Sequence, residues 1–177
     1  GFANHLEISN NNIVGNSGTF GGGIRFGHPV ATNGDSADVR GGYTDSGNDS
    51  VRVHHNLITQ NGGINAGSVG GGIGISAGTD EYRITSNHIC GNFSIGGGGG
   101  IGHVGHSANG IIDDNSVLLN ESFRQGGPVH GGGILVAGQP ARGAGPSAGS
   151  GSVAILNNII HGNQAAAGDG GGISLMS

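Results

Sequence analysis

The sequence predicts an all-β fold, a parallel β-helix (solenoid) of about five coils, on three observations. First, one pattern occurs five times: an apolar residue, two residues, Asn, one residue, an apolar residue, two residues, Asn. The copies are Ile8-Asn11-Ile13-Asn16, Val53-Asn56-Ile58-Asn61, Ile84-Asn87-Ile89-Asn92, Ile112-Asn115-Val117-Asn120 and Ile155-Asn158-Ile160-Asn163. Second, each copy is followed by a glycine triplet and an isoleucine, ending at Ile24, Ile73, Ile101, Ile134 and Ile173. Third, the local apolar spacing is two rather than three or four, so the segments read as short Ile/Val-rich strands and not as helices.

The apolar positions that open the copies are 45, 31, 28 and 43 residues apart. The shorter steps match one coil, and the longer ones contain insertions. Stacked coils lie roughly 4.8 Å apart, each strand pairing with its equivalents above and below. Each isoleucine is buried only against neighbouring coils, so five copies share one core. Asn tolerates left-handed geometry at a bend and hydrogen-bonds nearby backbone. Stacked on its equivalents, its amide forms a ladder, here Asn11, Asn56, Asn87, Asn115 and Asn158 and, five residues on, Asn16, Asn61, Asn92, Asn120 and Asn163. The glycine triplets, a second ladder, let the chain bend tightly or approach other backbone.

The first coil runs to about Phe26, and residues 28–50 then break the pattern. They read as a polar surface loop containing Asp35, Asp38, Asp45 and Asp49. Clustered Asp in a Gly-rich loop could hold Ca²⁺, an oxygen-seeking ion, but the spacing matches no Ca²⁺-loop motif and a solvated loop is the plainer reading. The second and third coils follow closely. The fourth carries an expanded bend, residues 121–130, and a second insertion, residues 139–152, rich in Gly, Pro and Ser. The fifth stops just after its glycine–isoleucine strand. No cap is recognisable at either end, and exposed strand edges invite pairing. The expectation is therefore a single domain over residues 1–177 that is a segment of a larger polypeptide, or that stacks on another β-helix end.

With 43 glycines in 177 residues the chain could be disordered, but the regular isoleucine pattern argues otherwise. The formal charge is −5, all six basic residues are arginine and no basic stripe exists, which excludes a nucleic-acid partner. No apolar run is long enough to span a membrane. The single cysteine, Cys90, has no partner for an internal disulfide.

Aligning the copies yields side-chain columns. One outward column reads Glu7, Arg52, Arg83, Ile111, Ala154; the next reads Ser9, His54, Thr85, Asp113, Leu156; the bend reads Asn10, His55, Ser86, Asp114, Asn157. Arg52, Arg83, Asp113, Asp114 and His55 are thus the candidate catalytic residues. An arginine can grip a uronate carboxylate, and Asp or His can act as acid or base. The plainer reading is an exposed face with ion pairs Glu7–Arg52 and Arg83–Asp113. A triad from His55, Ser86 and Asp114 is rejected, because the serine lies between the other two. His103 shares an inward column with Phe26, Ile75, Val136 and Leu175, and reads as a satisfied core residue; with His106 it is also a weak metal candidate. No cofactor is implied beyond the Ca²⁺ option.

The IxxN and GGGI elements resemble right-handed parallel β-helix repeats of the pectate-lyase-like superfamily. They are also similar to the GGAI-like and FxxN-like repeats of bacterial autotransporters and polymorphic outer-membrane proteins, with Gly for Ala and an aliphatic residue for Phe. The resemblance implies the right-handed winding. It is specific for fold and weak for function, since the fold hosts lyases, hydrolases, epimerases, adhesins and passive scaffolds. Lyase-like relatives carry an aspartate cluster for Ca²⁺ and an outward catalytic Arg or Lys. Arg52 and Arg83 fit that place, whereas the aspartate cluster is not evident. The expectation is a scaffold, spacer, adhesin or assembly segment of a large secreted or cell-surface bacterial protein. The alternatives are a lyase or hydrolase acting on acidic polysaccharide, and a subunit stacking end to end into filaments.

Overall fold

The computed structural model describes residues 3–27, 46–138 and 149–176. Asp35, Asp38 and Asp45 lie outside them. Each sequence copy folds into four short strands. The first copy has β1 (Glu7–Ser9), β2 (Asn12–Val14), β3 (Ser17–Gly18) and β4 (Ile24–Phe26), and the second has β5 (Arg52–His54), β6 (Leu57–Thr59), β7 (Gly62–Gly63) and β8 (Ile73–Ser76). The third has β9 (Arg83–Thr85), β10 (His88–Cys90), β11 (Phe93–Ser94) and β12 (Ile101–Val104). The fourth has β13 (Ser107–Asp113), β14 (Ser116–Leu118), β15 (Glu121–Ser122) and β16 (Ile134–Ala137), and the fifth has β17 (Gly151–Leu156), β18 (Ile159–His161), β19 (Gln164–Ala165) and β20 (Ile173–Met176).

Equivalent strands pair in parallel into four sheets of five. Sheet A is β1-β5-β9-β13-β17, sheet B β2-β6-β10-β14-β18, sheet C β3-β7-β11-β15-β19 and sheet D β4-β8-β12-β16-β20. No helix occurs among the described residues. The register puts like over like. Ile8, Val53, Ile84, Ile112 and Ile155 stack in sheet A, and Ile13, Ile58, Ile89, Val117 and Ile160 in sheet B. The central members form one apolar core with Ile73, Ile101 and Ile134 of sheet D. Each such side chain taken out of water contributes roughly 1.5–3 kcal/mol.

The strands are short because a left-handed residue ends each of the first two. Asn10, His55, Ser86, Asp114 and Asn157, at φ 50 to 57°, close the strands of sheet A. Gly15, Gln60, Gly91, Leu119 and Gly162 close those of sheet B. Asn, Asp and Gly adopt this geometry readily; Leu119 does so at a steric cost of about 1–2 kcal/mol.

An asparagine follows directly at every one of these corners. From Asn11 to Asn56, Asn87, Asn115 and Asn158, the backbone N–H and the side-chain Nδ2 of each donate to Oδ1 of the next, at 2.8–3.1 Å. Asn16, Asn61, Asn92, Asn120 and Asn163 repeat the arrangement at 2.9–3.0 Å. Nδ2 also reaches back to the preceding copy, as from Asn87 to Val53 O at 2.8 Å. The amides of the inner copies are buried with these bonds made. Asn92 and Asn120 open glycosylation-like triplets, yet burial withdraws both.

The glycine triplets answer a close approach between copies. A Cβ on Gly71 would sit 2.3 Å from Phe93 O, and one on Gly99 2.4 Å from Glu121 O. No side chain fits between those backbones.

Two boundaries differ from the sequence expectation. Residues 46–50 of the first insertion already stack, with Ser46, Asn48 and Ser50 N–H donating to Ala77, Gly78 and Asp80 O. The second insertion ends inside β17, which starts at Gly151. In both places backbone pairing to a neighbouring copy overrides a loop-like composition. The two-residue strands of sheet C have no apolar signature and are invisible in the pattern.

Asn87→Ala removes the acceptor of the Asn56 N–H and strands that donor in a buried site, while Asn56 Nδ2 keeps Ile8 O and His54 O. It is expected to cost roughly 2–4 kcal/mol in urea unfolding, against under about 1 kcal/mol for Asn11→Ala at the exposed first copy. Equal losses at the two sites would deny the buried amides their role.

Candidate functional site

The outward face of sheet A and its corner carry all the candidate catalytic residues. Parallel pairing places Arg52 beside Glu7 on one side and Arg83 on the other, and Arg83 beside Ile111. Both arginines are exposed. The ion pairs Glu7–Arg52 and Arg83–Asp113 expected from the sequence do not form. Among the described residues no carboxylate lies within salt-bridge range of either guanidinium. The register explains one case, since Asp113 faces Thr85 and not Arg83.

Glu7 turns along its strand instead. Its Oε1 accepts from Ser9 Oγ at 3.2 Å and lies 3.2 Å from His54 Nε2. His54 Nδ1 is 2.9 Å from His55 Nδ1, with the rings edge to face. Neutral tautomers satisfy both contacts when His54 carries its proton on Nε2, toward Glu7, and His55 donates from Nδ1.

On the far side, Asp113 Oδ1 accepts from Asn157 Nδ2 and Asp114 Oδ2 from Ser86 Oγ, both at 2.9 Å. The Ser86 hydroxyl is thus committed to a carboxylate and His55 to another imidazole. Among the described residues of this face no imidazole stands between a hydroxyl and a carboxylate, so these residues do not assemble a serine–histidine–aspartate relay. What the face offers is two arginines at paired positions of neighbouring strands, with His54 and His55 two and three residues beyond Arg52.

A second polar constellation lies in the core. His103 sits in the inward column Phe26, Ile75, His103, Val136, Leu175 and is fully buried. Its Nε2 is 2.7 Å from Gly105 O and 3.0 Å from Ser150 O, which places the proton on Nε2. The bare Nδ1 then accepts the Tyr82 hydroxyl at 3.0 Å. Tyr82 is also fully buried, and its ring leaves no room for a Cβ on Gly110, which would come within 2.4 Å. Desolvation holds the His103 pKa below the ordinary imidazole value, against smaller opposing effects from the two carbonyls, and raises that of Tyr82. Tyr82 escaped the sequence reading, although Val51 occupies the same place, two residues before its inward aliphatic, and signals an inward position.

Both nitrogens of His103 are engaged, so it cannot ligate a metal together with His106. Among the described residues no group of three or more His, Cys, Asp or Glu side chains could hold a metal ion. Asp49, of the aspartate cluster, ties copies together: its N–H donates to Asn4 Oδ1, and its Oδ1 accepts the Asp80 N–H, both at 3.1 Å. Asp80 Oδ1 in turn accepts the Ala108 N–H at 2.8 Å. Arg25 is largely buried, donating to Gly27 O, Phe20 O, Val69 O and Ser76 Oγ, and desolvation lowers its pKa to about 10.

The folded chain resists protonating His103, whereas the unfolded chain takes up that proton below about pH 6.5. Stability is therefore complete above that pH and falls as the pH drops below it, by at most about 1.4 kcal/mol per pH unit. Urea unfolding at pH 7.5 and 5.5 is expected to show this slope, and His103→Gln to lose it. The same slope in the variant would remove His103 as its source.

No family model matches the chain, and no curated protein or solved structure matches it, so its assignment rests on the chain's own geometry.

Proposed function

We propose that the chain is a right-handed parallel β-helix of the pectate-lyase-like kind, with about five coils held by asparagine and glycine ladders. Its role is structural: a spacer, adhesin or assembly module within a large secreted or cell-surface bacterial protein, joined end-on to further β-coils. The observation that carries this reading is a contrast within single columns. His103 and Val136 are 0% and 5% exposed, while Leu175, next in the same inward column, is 72% exposed. A coil stacked beyond the last one would bury it as the inner coils bury its equivalents. The outward face supports the same reading, because its serine and histidines are bonded to other groups rather than poised for chemistry.

An in-register extra coil fused after residue 176 is expected to raise the thermal midpoint by several degrees. An unchanged midpoint would count against end-on coverage.

A second reading is favoured by Arg52 and Arg83. Like charges directly opposite on neighbouring strands are destabilising, and an anion lying across both offsets that repulsion. The face then binds an acidic polysaccharide, with the carboxylates of a uronate chain spaced along the stack. The Arg52→Ser/Arg83→Ser double variant is expected to weaken oligogalacturonate binding at least tenfold in calorimetry. Equal affinity in the two proteins would end this reading.

A further inference from the structure

Successive residues of a strand point to opposite faces, so neighbouring side chains do not ordinarily meet. His54 and His55 do meet, because His55 takes the left-handed corner at φ 54°. The turn brings His55 Nδ1 to 2.9 Å from His54 Nδ1, with the rings edge to face. The equivalent corners carry Asn10, Ser86, Asp114 and Asn157. The column of His54 carries Ser9, Thr85, Asp113 and Leu156. Only the second copy therefore joins two imidazoles at this corner.

His54 is also held from behind. Its Nε2 lies 3.2 Å from Glu7 Oε1, so that carboxylate takes the Nε2 proton and leaves Nδ1 bare, aimed at His55. A carboxylate on the far nitrogen is the arrangement that fixes the tautomer and ring orientation of metal-binding histidines and raises their basicity. Glu7 also sets a negative charge against that of Arg52, its partner in the register. The pair is open to solvent: His55 is exposed and His54 half-buried.

Two nitrogens 2.9 Å apart, each about 2.0–2.1 Å from an ion as in zinc sites, subtend roughly 90° at that ion. This is the angle between neighbouring positions of a square-planar or octahedral ion, whereas a tetrahedral ion needs the nitrogens about 3.3 Å apart. We propose that His54 and His55 bind one Ni²⁺ or Cu²⁺ ion through their two Nδ1 atoms, with water in the remaining positions and Glu7 as the positioning residue behind His54. The ion replaces the proton between the two nitrogens. His55 then carries its proton on Nε2, His54 keeps its own there, and both rings stay neutral. Each ring turns slightly to aim its lone pair at the ion, and the exposed His55 has room to do so. The site needs no third side chain, in keeping with the lack of any three-residue group among the described residues.

The test is a calorimetric titration of the whole chain with Ni²⁺, in a Cys90→Ser background that removes the thiol as a ligand. One ion per chain is expected, with no comparable heat from Mg²⁺, which prefers oxygen ligands. His54→Thr/His55→Asn installs residues that other copies already carry in that column and at that corner, so the fold is retained, as circular dichroism checks. It is expected to weaken binding at least about a hundredfold, beyond what loss of an outer partner costs. Glu7→Gln is expected to weaken binding about tenfold. His88→Gln/His161→Gln removes two exposed imidazoles of sheet B and is expected to leave the affinity unchanged. No binding by the parent, undiminished binding by His54→Thr/His55→Asn, or an equal loss in His88→Gln/His161→Gln would overturn the proposal. Full affinity in Glu7→Gln would overturn the part assigned to the carboxylate.

Discussion

One hydrogen-bonded amide holds the architecture together: an asparagine Oδ1 that accepts both the N–H and the Nδ2–H of its equivalent in the preceding copy. Where the chain turns a corner, the strand ladder is interrupted and the polar backbone there loses its regular partners. The asparagine supplies them from its side chain, in a site that excludes water. This works only if the residue before it adopts left-handed geometry and aims the amide along the stack, and all ten such corners do so. The three-residue strands, the two turns and the alignment of the isoleucine columns follow from that coupling. A corner out of register would break its amide contacts and misplace the apolar columns together, so polar and apolar terms select one register.

Such a core is narrow, and it tolerates polarity only where every atom is matched. The Tyr82–His103 pair shows the rule. An imidazole stands in a column of aliphatics because two carbonyls and one phenol satisfy its two nitrogens. The Gly110 backbone leaves space for the tyrosine ring, so a glycine in one copy and an aromatic in another form a single packing decision. Ser122 Oγ, buried with no hydrogen-bond partner, is the one departure from this rule among the described residues.

The outer face obeys a different logic. Parallel in-register stacking brings together whatever the copies carry at equivalent positions, like charges included. Arg52 and Arg83 are neighbours for that reason, and neither meets a carboxylate among the described residues.

The repeat carried much of this on its surface. The copies, the inward aliphatics and the asparagine positions could be read from spacing alone, because each copy meets the same surroundings and leaves the same imprint on composition. So could the columns of sheet A, which the pairing places in one register from Ser9 to Leu156. Contacts within those columns could not be read. That Glu7 lies on His54 and not on Arg52, that Ser86 bonds Asp114, and that Tyr82 reaches His103 depend on rotamers and on distances between non-equivalent positions. The two-residue strands of sheet C and the stacking of residues 46–50 were likewise hidden, because backbone pairing there needs no particular side chain. Periodicity determined which residues share a column; only the tertiary structure decided which atoms within and between columns touch, because hydrogen bonding depends on direction and spacing alone does not supply it.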